Sequence, residues 1–436
     1  MMVDEKKKKF GFWSIVLLGI NAVIGSGIFL LPGKAMALIG PGSIFVYLVM
    51  TVIVMAVALC FVECASKFTR NGAAYVYARE AFGEFVGFEV GIMRWAISII
   101  AWAAMAVGFV TALSAVWPSA LEEPYKTTII VTMLIGLGIL NYLGVQMAKI
   151  VNNLITVGKI LPLLLFIIFG VFYIKGGNFN PMFPKGFEFD SFGTAALLIF
   201  YAFTGFEALA AAAEDMENPK KNLPLALMTV MGFCSVTYFM VQTIAVGTLG
   251  PALATSVAPV ADAANSFLGP AAKWLVTIGT LTSIGGINVA ASFLTPRGGV
   301  ALAQDGMVPR KIADNSRFGT PHLAILISVL LAIPVALSGS FVQLAAISVV
   351  SRFAQYVPTC LAVIVLRKKR PDLVGSFVVP FGPVIPLVAI ITSFWLLSKA
   401  TSVQIIWGLG ALGIGAILYI MMKYAAKATT GGNTGR

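Results

Sequence analysis

The 436-residue sequence predicts an all-α membrane protein of about twelve transmembrane helices. Three observations carry that expectation. Hydrophobic residues make up 59% of the chain and charged residues 11%, against roughly 25% charged in soluble domains, so polar surface is too scarce for a water-facing exterior. Apolar runs of about twenty residues recur along the whole chain, the length a bilayer core requires of a helix. Most of the Lys and Arg residues fall between those runs and build no continuous patch. The formal net charge of +12 therefore reads as a topology signal and not as a nucleic-acid surface.

Bounded by charges, Gly or Pro, the predicted spans cover residues 12–31, 42–66, 84–116, 127–144, 151–174 and 192–213. Six more cover 223–249, 270–300, 321–338, 341–366, 379–397 and 403–422. The third and eighth are long enough to tilt. The first follows the basic run Lys6–Lys9 as a cleaved signal would. Yet it runs to Leu31, contains Asn21 and Gly25-Ser26-Gly27, and ends without a small-residue cleavage site, so it is expected to be retained. No linker divides the chain, and residues 1–436 read as one transmembrane domain. With these spans, one side of the membrane receives twenty-one Lys and Arg residues and the other five. Positive charge favours the cytoplasm, which predicts a multi-pass cell-membrane protein with both termini cytoplasmic. Cys60, Cys64, Cys234 and Cys360 lie inside apolar segments, where inert buried thiols are expected and no disulfide framework is.

Two spans carry breaks. The first holds Gly25-Ser26-Gly27 at its middle, and each glycine weakens a helix interior by about 1 kcal/mol relative to alanine. Unwound backbone at membrane depth is tolerated only where it is buried in protein or lines a cavity. The freed N–H groups and the positive end of the following half-helix suit a carboxylate. Close helix packing would explain a lone Gly-Ser-Gly as well. The sixth span reads Tyr201-Ala202-Phe203-Thr204-Gly205-Phe206-Glu207, again with a mid-membrane glycine and a carboxylate just after it. Matching interruptions in spans one and six are what an inverted repeat of five plus five helices produces, with a ligand held between the breaks. The predicted site is Ile24, Gly25, Ser26 and Gly27 with Tyr201, Phe203, Thr204 and Gly205. The repeats would cover 12–174 and 192–366, leaving two accessory helices over 379–422.

Four motifs extend this pattern: Gly25-Ser26-Gly27-Ile28-Phe29, Gly72-Ala73-Ala74-Tyr75-Val76-Tyr77-Ala78-Arg79, Glu214-Asp215-Met216-Glu217-Asn218-Pro219, and Ala303-Gln304-Asp305-Gly306-Met307-Val308-Pro309. Each is weak alone, but four in this order are specific. On them the chain resembles the amino acid–polyamine–organocation family along nearly its whole length. The resemblance implies a leucine-transporter-type fold with discontinuous helices one and six. It also implies secondary transport of amino acids by alternating access, as proton-coupled symporter or amino acid exchanger. A polyamine or amino acid/amine antiporter is the alternative within the class. A nutrient sensor or a channel is the alternative outside it.

Four ionisable residues stand out inside apolar spans. Lys159 either snorkels to the surface or has a buried partner. The resemblance places its ammonium where sodium sits in sodium-coupled relatives, which implies sodium independence. Glu207 matches a family glutamate of the gate beneath the substrate or of a protonation step. Arg94 stands where some members have a gating tyrosine, a departure that suggests an Arg94–Glu207 gate. Pairing of Arg94 with Glu89 or with a lipid headgroup is the competing reading. Arg352, inside the tenth span, is expected to pair with protein and is given no role. His322 reads as interfacial. No metal-ligand spacing, phosphate loop or nucleophile set appears, so no metal, no cofactor and no enzymatic activity are expected. The expected partners are an amino acid, with protons as one coupling option, and the lipid bilayer; the chain is expected as a monomer or a homodimer.

Overall fold

The computed structural model describes residues 11–68, 74–144, 149–211 and 216–431. Lys6–Lys9, Arg70, Gly72, Ala73, Glu214, Asp215 and Arg436 lie outside the described residues, as do the side chains of Lys149, Lys220 and Lys427. Among the described residues the architecture is helical, with an isolated bridge between Asn315 and Pro321 and no strand.

The first predicted span becomes α1 (Phe12–Val23) and α2 (Ser26–Leu30). It then continues past its expected end as α3 (Pro32–Ile39), because proline is accommodated at the first position of a helix. The chain follows with α4 (Ser43–Lys67), a short α5 (Ala74–Phe82), α6 (Glu84–Leu113), α7 (Tyr125–Tyr142) and α8 (Lys149–Gly170). The second half holds α9 (Phe189–Phe200), α10 (Glu207–Ala211), α11 (Pro219–Leu249), α12 (Pro259–Leu268), α13 (Pro270–Gln304) and α14 (His322–Leu337). It ends with α15 (Phe341–Lys369), α16 (Val384–Leu397) and α17 (Ser402–Gly431). By length and composition, eight segments among the described residues can cross a membrane, and four shorter apolar helices accompany them. Their outward side chains suit lipid: Phe172, Trp13 and Ile406 are 80%, 70% and 68% exposed. All four cysteines are buried and free.

The long helix α6 packs against α13, α14, α15 and α17, while α1 and α4 pack on α11. The breaks lie between these groups, since α2 touches α6, α12, α13 and the turn after α9. At one end a polar lattice ties the helices together. Glu63 on α4 is fully buried, and Arg367 on α15 donates to its two carboxylate oxygens at 2.9 and 2.5 Å. The Val379 N–H donates to it at 2.7 Å, and Lys67 stands 3.2 Å away. A buried carboxylate so surrounded is compensated by both charge and hydrogen bonds. Two of the motifs meet at the same end. Tyr75 donates to Asp305, and burial together with that carboxylate pushes the Tyr75 phenol up to about 12.

Candidate functional site between the two breaks

Between α1 and α2 the backbone leaves helical geometry at Ile24 (ψ 102°). After α9 the chain tightens into a 3-10 turn at Tyr201–Phe203, becomes extended at Thr204, and passes through Gly205 at φ +111° before α10 begins at Glu207. Only glycine adopts that φ without strain.

The breaks interlock. A Cβ on Gly27 would stand 2.7 Å from Ala202 Cα, and one on Gly205 would stand 2.3 Å from the Ala22 carbonyl oxygen. Each glycine thus admits the backbone of the other break. The Tyr238 hydroxyl, on α11, bridges them by reaching Val23 O at 3.1 Å and Ala202 O at 3.0 Å. The hydroxyls of Ser26 and Tyr201 meet across the gap at 3.2 Å.

Lys159 does not snorkel outward. It is fully buried, and its ammonium donates to Asn21 O at 2.7 Å and Ile24 O at 2.9 Å, carbonyls beside the first break. A buried charge needs such partners. The backbone oxygens that would otherwise attract a cation are therefore occupied by a side-chain amine.

The predicted aromatic cover divides. Tyr201 packs edge-on against Phe341 at 5.7 Å, and the Ser26 hydroxyl donates to Met105 Sδ at 3.3 Å. Phe203 instead turns to Tyr238 at 5.1 Å, and the Thr204 hydroxyl bonds back to Tyr201 O at 2.8 Å. These two residues hold the turn together more than they face the Ser26 side. Glu207 accepts from the Gly205 N–H at 2.9 Å and from the Tyr356 hydroxyl at 3.1 Å. Arg352 Nε stands 3.5 Å from its other carboxylate oxygen. Arg94, on α6, lies within electrostatic range of Tyr77, Tyr75 and Glu207.

Residues 10–401 match the family model described as amino acid permease. The chain belongs to the amino acid permease family. Among its relatives is an uncharacterized transporter of Mycobacterium tuberculosis, 34% identical, covering 88% of this chain and 86% of that protein. The branched-chain amino acid permease BcaP of Bacillus subtilis is 30% identical over 95% of this chain and 93% of its own length. A methylthioribose transporter of Bacillus subtilis is 28% identical over 94% and 92%. The permease is thus a multi-pass membrane transporter and not an enzyme.

Several residues that shape this permease's site carried no role in the sequence reading. Tyr238, Met105, Phe341 and Tyr356 lie within membrane helices among mostly apolar neighbours and carry no local signature. Asn288 on α13 donates to Met105 O at 3.1 Å, while its buried side-chain oxygen has no hydrogen-bond partner among the described residues. Arg352 did have a signal, a charge inside an apolar span; what was missing was its partner.

Proposed function

We propose that this permease moves amino acids across the cell membrane by alternating access without sodium, as a proton-coupled symporter or an exchanger. The observation that carries the reading is the pair of interlocked breaks with the Lys159 ammonium held on Asn21 O and Ile24 O. In this reading the first-turn N–H groups of α2, which lack partners within the helix, and the Ser26 and Tyr201 hydroxyls receive the substrate carboxylate. Lys159 takes the place of a sodium ion and supplies the positive charge that the unwound backbone would otherwise draw from solution. The same reading takes twelve spans in a leucine-transporter-type five-plus-five inverted repeat, with both termini cytoplasmic. The sequential order of broken helices and the uneven Lys and Arg distribution support it. The relative named for branched-chain amino acids makes neutral substrates the first to try.

The test is a competition panel in proteoliposomes, run with and without a proton gradient, with amino acids, polyamines and methylthioribose against labelled uptake. Saturable uptake inhibited by amino acids and not by polyamines is expected. Stimulation by the gradient would mark a symporter, and dependence on internal amino acid would mark an exchanger. Inhibition by polyamines or methylthioribose alone would overturn the reading.

A further inference from the structure

Glu207 places a carboxylate at the start of α10, beside the second break, where a cationic substrate side chain would find an attractive counter-charge. The carboxylate is not left for that use. One oxygen accepts from Gly205 N–H and from Tyr356, and the other stands 3.5 Å from Arg352 Nε. The contact with Arg352 is one of charge: Nε is buried and has no hydrogen-bond partner among the described residues. No hydrogen bond among the described residues engages the rest of the guanidinium. The two side chains keep 9% and 18% exposure. Glu207 begins α10, which packs on α1, α4 and α11, and Arg352 is buried within α15. Aromatic rings of Phe61, Phe200 and Phe206 pack around Tyr356 and keep the pair in a low-dielectric setting.

We propose that Arg352 is the charge-selectivity residue of this permease: by neutralising Glu207 beside the second break, it restricts the site to amino acids whose side chains carry no net charge. This deepens the proposed function and rests on it. The physical reason is that selectivity is set as much by the rejected ligand as by the accepted one. A substrate ammonium near Glu207 meets the Arg352 cation as well, and an acidic side chain near Arg352 meets Glu207.

The experiment is the competition panel repeated on four variants: Arg352→Gln, Arg352→Lys, Glu207→Gln and the Arg352→Gln/Glu207→Gln double variant. Wild-type uptake of a neutral amino acid should resist lysine, ornithine and glutamate. In Arg352→Gln, lysine and ornithine should become inhibitors at concentrations lower by about tenfold or more, as an uncovered carboxylate attracts them. In Glu207→Gln, glutamate should gain instead. The double variant and Arg352→Lys should keep the neutral preference. Should Arg352→Gln fail to fold, Glu207→Gln and the double variant decide the matter alone. Single variants that transport and reject charged amino acids as the wild type does would overturn the proposal, as would a wild type that accepts lysine equally well. A wild type that carries no amino acid would instead defeat the function from which the proposal starts.

Discussion

Alanine at position 27 should damage both stability and transport, although helix propensity alone predicts the reverse. Within a helix, Gly→Ala favours the folded state by about 0.5–1 kcal/mol. At Gly27, however, the added Cβ would lie 2.7 Å from Ala202 Cα, 2.8 Å from Ala202 Cβ and 3.2 Å from Ala202 N. Relief requires roughly 1 Å of separation, and no side-chain rotation can supply it because the opposing atoms are fixed to the backbone. Overpacking of this kind costs about 1–3 kcal/mol, which exceeds the propensity gain. The displaced elements are the two breaks themselves, and a misplacement of about 1 Å at a binding site can lower turnover about a hundredfold. The assay pairs a thermal melt of the detergent-purified protein with initial uptake rates in proteoliposomes. Gly410→Ala, on α17, is the control, since its Cβ would meet nothing within 4 Å. A Gly27→Ala protein that melts and transports like the wild type would refute the interlock.

Three further outcomes follow from the same geometry. Lys159→Met should lower transport by at least about tenfold, because Asn21 O and Ile24 O lose their donor and each unsatisfied buried carbonyl costs about 1–3 kcal/mol; wild-type uptake rates in this variant would remove Lys159 from the mechanism. Tyr238→Phe deletes the hydroxyl shared by Val23 O and Ala202 O, so a loss of about 1–2 kcal/mol in a thermal melt and a raised KM are expected; a change in neither would count against the bridge. Glu63→Gln breaks the buried contacts with Arg367 and Lys67, and because Arg367 is partly exposed the cost should fall at the lower end of about 3–5 kcal/mol; an unaltered melting temperature would contradict the clamp between α4 and α15.

The helices were legible because membrane insertion writes itself locally. A span must be apolar over about twenty residues, whatever it later packs against. Thus α4 at Ser43–Lys67 answers the expected 42–66, and α14 at His322–Leu337 answers 321–338. The short α5 and α12 escaped because nothing in a nine- or ten-residue amphipathic segment demands a bilayer. Gly27 and Gly205 were readable as weak points, but their reciprocal fit against Ala202 and Ala22 is tertiary and leaves no pattern in either span. Lys159 announced itself as a lysine in hydrocarbon, and its partners are the backbone of a break already noticed. Glu207 announced itself likewise. The departure at Arg94 suggested an Arg94–Glu207 gate, and Arg352, which carried no role, is an arginine that stands 3.5 Å from Glu207. An arginine in a span requires a partner, and sequence separation gives no means of choosing between helices that the fold brings together.

The central claim is that a lysine ammonium, and not a sodium ion, holds the unwound first helix beside an amino acid site. It is tested most directly by initial uptake of a labelled neutral amino acid into proteoliposomes, with external and internal sodium replaced by choline. Saturable uptake at the same rate in both media is the predicted result. Uptake that disappears with sodium and returns when it is restored would contradict the account.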